Sequence, residues 1–186
     1  MKEKTDKELI DAYLGGNEEA FKELVSRHMN NVYKFTYRYF NDRDKAEDAT
    51  QETFVKAWKN IKRFDTDRKF ITWLFAIAKN TCLDIIKKKT PVSFSRLEAE
   101  KEMDIADLIQ DESPLPDELA ERSEKKEAID AILQRIPADY RMVLFLRYND
   151  HLKFREIAEA LNESLNTVKS RHLRGLKIMK KLMKKE

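Results

Sequence analysis

The stretch 154-FREIAEALNESLNTVKSRHLRGLKIMKK-181 decides how the chain is read. Ile157, Ala158, Leu161 and Val168 fall at the spacing of a helix-turn-helix core, two short helices packed across a tight turn. Such a motif needs a small residue where its helices cross, and Ala158 supplies one. It also needs a turn residue that tolerates positive φ, and Asn162 is the best choice after glycine. Ser164 is placed to cap the second helix, its hydroxyl accepting from an otherwise unpaired N–H. The second helix, from about Thr167 to Lys181, carries polar and basic side chains in its N-terminal half, where a recognition helix meets base edges. Further Lys and Arg residues follow, where it would meet phosphates. An ordinary hairpin with a basic solvated face would share those charges. The small residue, turn residue, cap and basic helix all agree on duplex DNA.

Outward from this motif the whole chain reads as helical. Of 186 residues only 3 are Gly and 4 are Pro, roughly a third of average usage. That argues against sandwiches, barrels and glycine-rich nucleotide loops. Charged residues at 38% and hydrophobic ones at 41% suit amphipathic helices. The expected fold class is all-α, with two helical domains joined by an acidic, partly ordered linker. No apolar run approaches the roughly 18 residues of a membrane span, so no membrane insertion is expected. A lone Cys82 and a polar start fit a reducing cytoplasm, with Cys82 a small core residue.

The net charge of +3 hides a pattern. Residues 1–90 carry 19 Lys and Arg against 15 Asp and Glu, a balance of +4; residues 91–127 carry 5 against 12, or −7; residues 128–186 carry 13 against 7, or +6. Pro91, Pro114 and Pro116 also lie in the acidic segment, where they break any long helix. The expected domains are therefore 1–90, a linker over 91–123 with a short helix around Met103 to Ile109, and 124–186. In the last of these a helix ends at Ile136, and Pro137 suits the first turn of the next.

In the first domain Thr5 and Glu8 have capping-box spacing. Gly15-Gly16 ends that helix and Asn17 starts the next, whose apolar stripe runs through Phe21, Leu24, Val25, His28, Met29, Val32, Phe35, Thr36 and Tyr39. Asp44 and Glu47 repeat the capping-box spacing ahead of a third helix, which would bury Ala46, Ala49, Thr53, Ala57 and Ile61. Asp44, Glu47, Asp48, Gln51 and Glu52 gather on its surface. That stripe is either merely solvated or docks a basic partner helix, with Phe54 or Trp58 as apolar anchors. A polar turn over Asp65 to Lys69 separates it from a last helix, Phe70 to Lys88. Aromatic and basic residues interleave around that turn, a pattern suited to single-stranded DNA, although Phe70, Trp73, Leu74 and Ile77 also fit a bundle core.

Two runs, DRDKAEDATQETFVKAW with FITWLFAIAKNTCLDIIKKK, and LQRIPADYRMVLFLRYNDHLKFREIAEALNESLNTVKSRHLRGLKIMKKL, resemble bacterial RNA polymerase sigma factors of the extracytoplasmic-function (ECF) group, within the sigma-70 family. The resemblance spans about 1–90 and 124–186 and implies a division of labour. Asp44, Glu47, Asp48, Gln51, Glu52, Phe54 and Trp58 would grip the β′ clamp helices of core RNA polymerase. Phe64, Asp65, Thr66, Asp67, Arg68, Lys69, Trp73, Asn80, Lys87 and Lys88 would melt the promoter −10 element and capture an unstacked base. Ser164, Asn166, Thr167, Lys169, Ser170, Arg171, Arg174 and Lys177 would read the −35 duplex, in a domain that also meets the β flap. The linker would imitate nucleic acid on its way toward the RNA exit path. An anti-sigma factor covering both domains is a further implied partner. The sequence departs from the family at Leu176, often Arg, at Asn162 and Asn166, often Gly, and at His172, often aliphatic, which bears on promoter sequence more than on function.

Two rival functions make different demands. An enzyme would need a gathered nucleophile, base and oxyanion site, or His and Cys residues at metal-ligand spacing. His28, His151, His172 and Cys82 provide neither, so no catalytic residue, metal or cofactor is expected. A helix-turn-helix regulator acting without polymerase would account for the C-terminal domain, but would leave the acidic stripe and the aromatic, basic end of the first domain unused.

Overall fold

The computed structural model describes residues 4–89 and 132–183, and every regular element among them is helical. The chain divides into two compact units. The linker expectations, including the short helix near Met103 to Ile109, lie outside the described residues.

The first unit contains α1 (Asp6–Leu14), α2 (Glu18–Phe40), α3 (Arg43–Asn60), a 3-10 turn (Ile61–Arg63) and α4 (Phe70–Lys89). Thr5 caps α1 in a full capping box with Glu8. Gly16, at φ 100°, makes the turn that a side chain would strain. Asn17 then caps α2, its side chain accepting from the Glu19 amide. Asp6 ties α1 to α2, its carboxylate accepting from Arg27 at 2.8 Å and from His28 Nε2 at 2.9 Å. Burial would raise that carboxyl's pKa, but the bonds and charges of His28 and Arg27 outweigh it and hold it below the usual value.

The α2 stripe buries Leu24, His28, Val32, Phe35 and Thr36, whereas Met29 stays 41% exposed. At the centre the rings of Phe35 and Phe75 stack with centroids 5.0 Å apart, both fully buried. Burying such a side chain contributes on the order of 2 kcal/mol. The buried residues of α3, which packs on α2 and α4, are small except for Phe54: Ala46, Ala49, Thr50, Thr53 and Ala57. Their hydroxyls are satisfied internally: Thr50 donates to the Ala46 carbonyl at 2.7 Å, and the Thr36 hydroxyl lies 2.9 Å from that of Thr50. The α3 cap differs from the expected Asp44–Glu47 box. Asp42 caps the helix by accepting from the Lys45 amide, so the helix starts at Arg43 and Glu47 pairs with Arg43 one turn back. Cys82 is buried, as expected of a core residue.

The second unit contains α5 (Ala138–Tyr148), α6 (Phe154–Leu161) and α7 (Leu165–Met183), preceded by helical residues 132–134. Pro137 stands at the N-cap of α5, one position before the first turn. Met142, Val143, Leu144, Leu146, Leu152, Phe154, Ile157, Leu161 and Val168 form the core. Gly175 lets α7 approach α5 closely: a Cβ there would stand 3.0 Å from Leu144 Cδ1. His151 turns the chain into α6 at φ 53°.

Candidate partner and nucleic-acid interfaces

Helix α3 has a buried and an exposed side, and the α2 packing decides which is which. Asp44, Asp48, Gln51, Val55 and Trp58 recur at spacings of 4, 3, 4 and 3, which places them along one seam. All five are exposed, Val55 by 48% and Trp58 by 52%. The seam is acidic in its first half and apolar in its second, with no basic residue on it. Glu47 and Glu52 flank it, paired to Arg43 at 2.9 Å and to Lys56 at 3.1 Å. Lys56 also reaches Asp84 on α4 at 3.0 Å. Burial disfavours its charge, but hydrogen bonds to Asp84 and Glu52 prevail and raise its pKa above the usual lysine value. Phe54, one of the expected anchors, is only 7% exposed and lies on the buried side of the helix with Thr50 and Ala57. Val55, absent from the expected residues, takes that place on the surface.

The turn before α4 is built by short-range bonds. Asp65 accepts from the Asp67 amide at 3.0 Å and its carbonyl from the Arg68 amide at 3.1 Å, a turn made by an aspartate folding onto its own backbone. This leaves Asp65, Asp67, Arg68 and Lys69 exposed and Thr66 partly so. Phe64 sits against Trp73, ring centroids 4.9 Å apart, and edge-on to Phe70 at 5.5 Å. Phe70 closes the core against His28, while Phe64 and Trp73 are only half-buried. Aromatic faces therefore lie beside cationic side chains at one end of α4. Asn80 and Lys87 follow Trp73 at seven-residue intervals on the same seam, about 10 and 20 Å along the helix, and Lys88 adjoins Lys87; all three are exposed. The predicted set is thus a strip along α4 rather than a single pocket.

In the second unit Asn162 adopts φ 49° between α6 and α7, the left-handed turn expected of it. Ser164 caps α7, its hydroxyl accepting from the Thr167 amide at 3.0 Å and lying 2.7 Å from the Thr167 hydroxyl. Both side chains are thereby engaged in starting the helix. Asn166 and Lys177 are exposed, while Lys169, Ser170 and Arg174 are partly exposed along the helix. Arg171 differs from its neighbours. One guanidinium nitrogen donates to Glu163 at 2.6 Å and the other lies 3.5 Å from an Asp139 oxygen. His172 turns inward, its Nε2 sharing a 2.9 Å hydrogen bond with the Tyr148 hydroxyl and its ring meeting the edge of Phe154. Burial, with the nearby Arg147 charge, pushes its pKa down to about 4. It is neutral at ordinary pH, in keeping with its place among buried residues.

Comparison with known proteins bears on both units. The family profile described as Sigma-70 region 2 matches residues 24–91, and that described as Sigma-70, region 4 matches residues 126–179. The ECF RNA polymerase sigma factor SigW of Bacillus subtilis (strain 168) is 35% identical over 173 residues, covering 91% of each chain. The fold is shared with CnrH, solved in complex with the cytosolic domain of CnrY, at TM-score 0.67 and 24% identity over 97% of this chain and 98% of that one. It is shared too with RpoE of Bartonella quintana, solved with the anti-sigma factor NepR, at TM-score 0.64 and 21% identity over 88% of this chain and 96% of that one.

Proposed function

This chain belongs to the ECF group of the sigma-70 family, non-enzymatic subunits that direct RNA polymerase to promoters, and from that premise we propose how its surfaces divide the work. The exposed seam of α3 docks on the β′ clamp helices, Asp44, Asp48 and Gln51 meeting basic side chains while Val55 and Trp58 bury apolar surface. Phe64 and Trp73, with Arg68 and Lys69 beside them, take an unstacked base of the −10 element, and Asn80, Lys87 and Lys88 carry the strand along α4. In the second unit, which also meets the β flap, Lys169, Ser170 and Arg174 read the −35 duplex, with Asn166 and Lys177 close to the backbone.

The observation that carries this reading is the separation of surface chemistry. One helix offers solvent acid and apolar surface, as a protein partner requires, while α7 offers basic and polar surface and the end of α4 aromatic and basic surface, as DNA requires. Opening the duplex costs a few kcal/mol per unstacked base. That cost is met from binding energy, and most of that from tethering to polymerase, which raises the effective concentration of each DNA-reading surface. The chain acts where polymerase acts, in the cytoplasm. No helix among the described residues is long and apolar enough to cross a membrane. By analogy with the NepR complex, an anti-sigma factor covering the α3 seam would keep the chain off polymerase.

Run-off transcription with core polymerase over a promoter library tests the reading. The chain with core should initiate from a defined subset of promoters, while the chain alone should show only weak, salt-sensitive DNA binding. DNA binding without initiation would make it a helix-turn-helix regulator instead.

A further inference from the structure

We propose that Arg171 is a positioning residue for promoter selection: it braces the recognition helix at a set angle instead of reading bases itself. This rests on the reading of the second unit as the −35 domain. Arg171 lies on α7, Glu163 in the turn that precedes it and Asp139 in the first turn of α5, so one guanidinium joins three separate segments. Its planar fork turns one terminal nitrogen to Glu163 and the other toward Asp139, so turning them to the O6 and N7 of a guanine would mean giving up both contacts. In the trio of one cation and two anions the charge of Arg171 is already compensated within the protein. The side chains of Arg171 and Glu163 are 24% and 15% exposed, and a pair so shielded from water is screened less by salt than a surface pair.

Geometry explains why a brace is needed at that place. The Ser164 cap and the left-handed Asn162 hold the start of α7. Val168, His172 and Gly175 seat its inner side on the core. Arg171 lies seven residues beyond Ser164, about 10 Å along the axis, and adds a tie to α5 through a partly exposed side chain, which helps to fix the direction of the helix. Lys169, Ser170 and Arg174 lie within one turn of it. Recognition of base edges tolerates displacements of only about 0.5 Å and tilts of 10–20°, so a loosened α7 would blur what all of its side chains read together.

The test uses holoenzyme reconstituted from the full chain and core RNA polymerase, transcribing a library randomised across the −35 element at several salt concentrations. Arg171→Ala and Glu163→Gln are each expected to flatten preferences at several adjacent base pairs and to lower output from the best promoter about tenfold. The double variant should be no worse than either single one, the salt dependence should be unchanged, and Arg171→Lys should restore part of the selectivity. Glu163→Gln is nearly isosteric and keeps the fold testable if Arg171→Ala unfolds. A role in stability alone would lower output without reordering the promoters, and an unchanged order in both variants overturns the proposal. So does a loss confined to one base pair in Arg171→Ala with Glu163→Gln fully selective, the signature of a direct guanine contact, or a shallower salt dependence, the signature of a phosphate contact. A wild-type holoenzyme indifferent to the −35 sequence overturns the reading of the domain, and this role with it.

Discussion

Helices α3 and α7 each turn one seam outward, but they treat those seams in opposite ways. Along α3 the outward residues Asp44, Asp48, Gln51, Val55 and Trp58 stand exposed, and the helix is positioned from behind, by the Thr36 and Thr50 hydroxyls and the alanines that pack beneath it. Along α7 several polar residues on the outward side are already engaged: Ser164 with Thr167, and Arg171 with Glu163 and Asp139. Under the proposed division of labour, the difference follows from the partners. Docking on a protein is dominated by a few buried anchors surrounded by tolerant contacts. Reading base edges depends on hydrogen bonds whose angle and spacing are set in advance. A surface for the first task can be left loose; a surface for the second must be held.

The strongest way to break this contrast is to remove the α3 anchors. Trp58→Ala combined with Asp48→Lys should weaken holoenzyme assembly about 100-fold, close to 3 kcal/mol, with helix content unchanged because both side chains face solvent. Native affinity in that variant would show that polymerase docks elsewhere. A second route loosens α7 from behind by acid. His172 is held at about 4 in the folded chain against 6.5 for an ordinary histidine, so the unfolded chain binds the proton first as pH falls. The stabilisation from neutral His172 is complete above pH 6.5, declines below it and is gone by about pH 4, a loss on the order of 3 kcal/mol. His172→Gln, which keeps a partner for Tyr148 without titrating, should reduce the pH dependence of unfolding by that amount; an identical profile in both proteins would refute the assignment. The smallest expected effect is that of Ser164→Ala, which leaves the first turn of α7 without its cap and should cost about 1 kcal/mol of stability. An unmoved unfolding midpoint would mean that the cap does not contribute to holding α7.

The elements read most accurately from sequence were those set by neighbours along the chain. Thr5 with Glu8, Asn17, Asn162 and Ser164 each act within four residues, and each does in the structure what its spacing implied. Local rules also misplaced some features. Asp44 and Glu47 have capping-box spacing, but Asp42 has the same spacing to Lys45 and takes the cap, which leaves Asp44 inside the first turn. Phe54 was legible in principle: it follows Thr50 by four and precedes Ala57 by three, which puts it on the buried side, and Val55 on the outer one. Other features depend on which helix comes to lie opposite. Gly175 reads along the chain only as a weak point in a helix, and its use appears once Leu144 stands above it. Asp139 precedes Arg171 by 32 positions, and nothing in either neighbourhood announces that the two will meet.

Cys82 has a consequence for what this protein can sense. Its thiol is buried in the first unit and pushed up to about 12, so the reactive thiolate is essentially absent at neutral pH. It is also the one cysteine in the chain. An oxidant that acts through thiols therefore finds nothing here to modify while the unit stays folded. Thiol oxidation is then a consequence of unfolding this unit and not a signal that the folded unit receives.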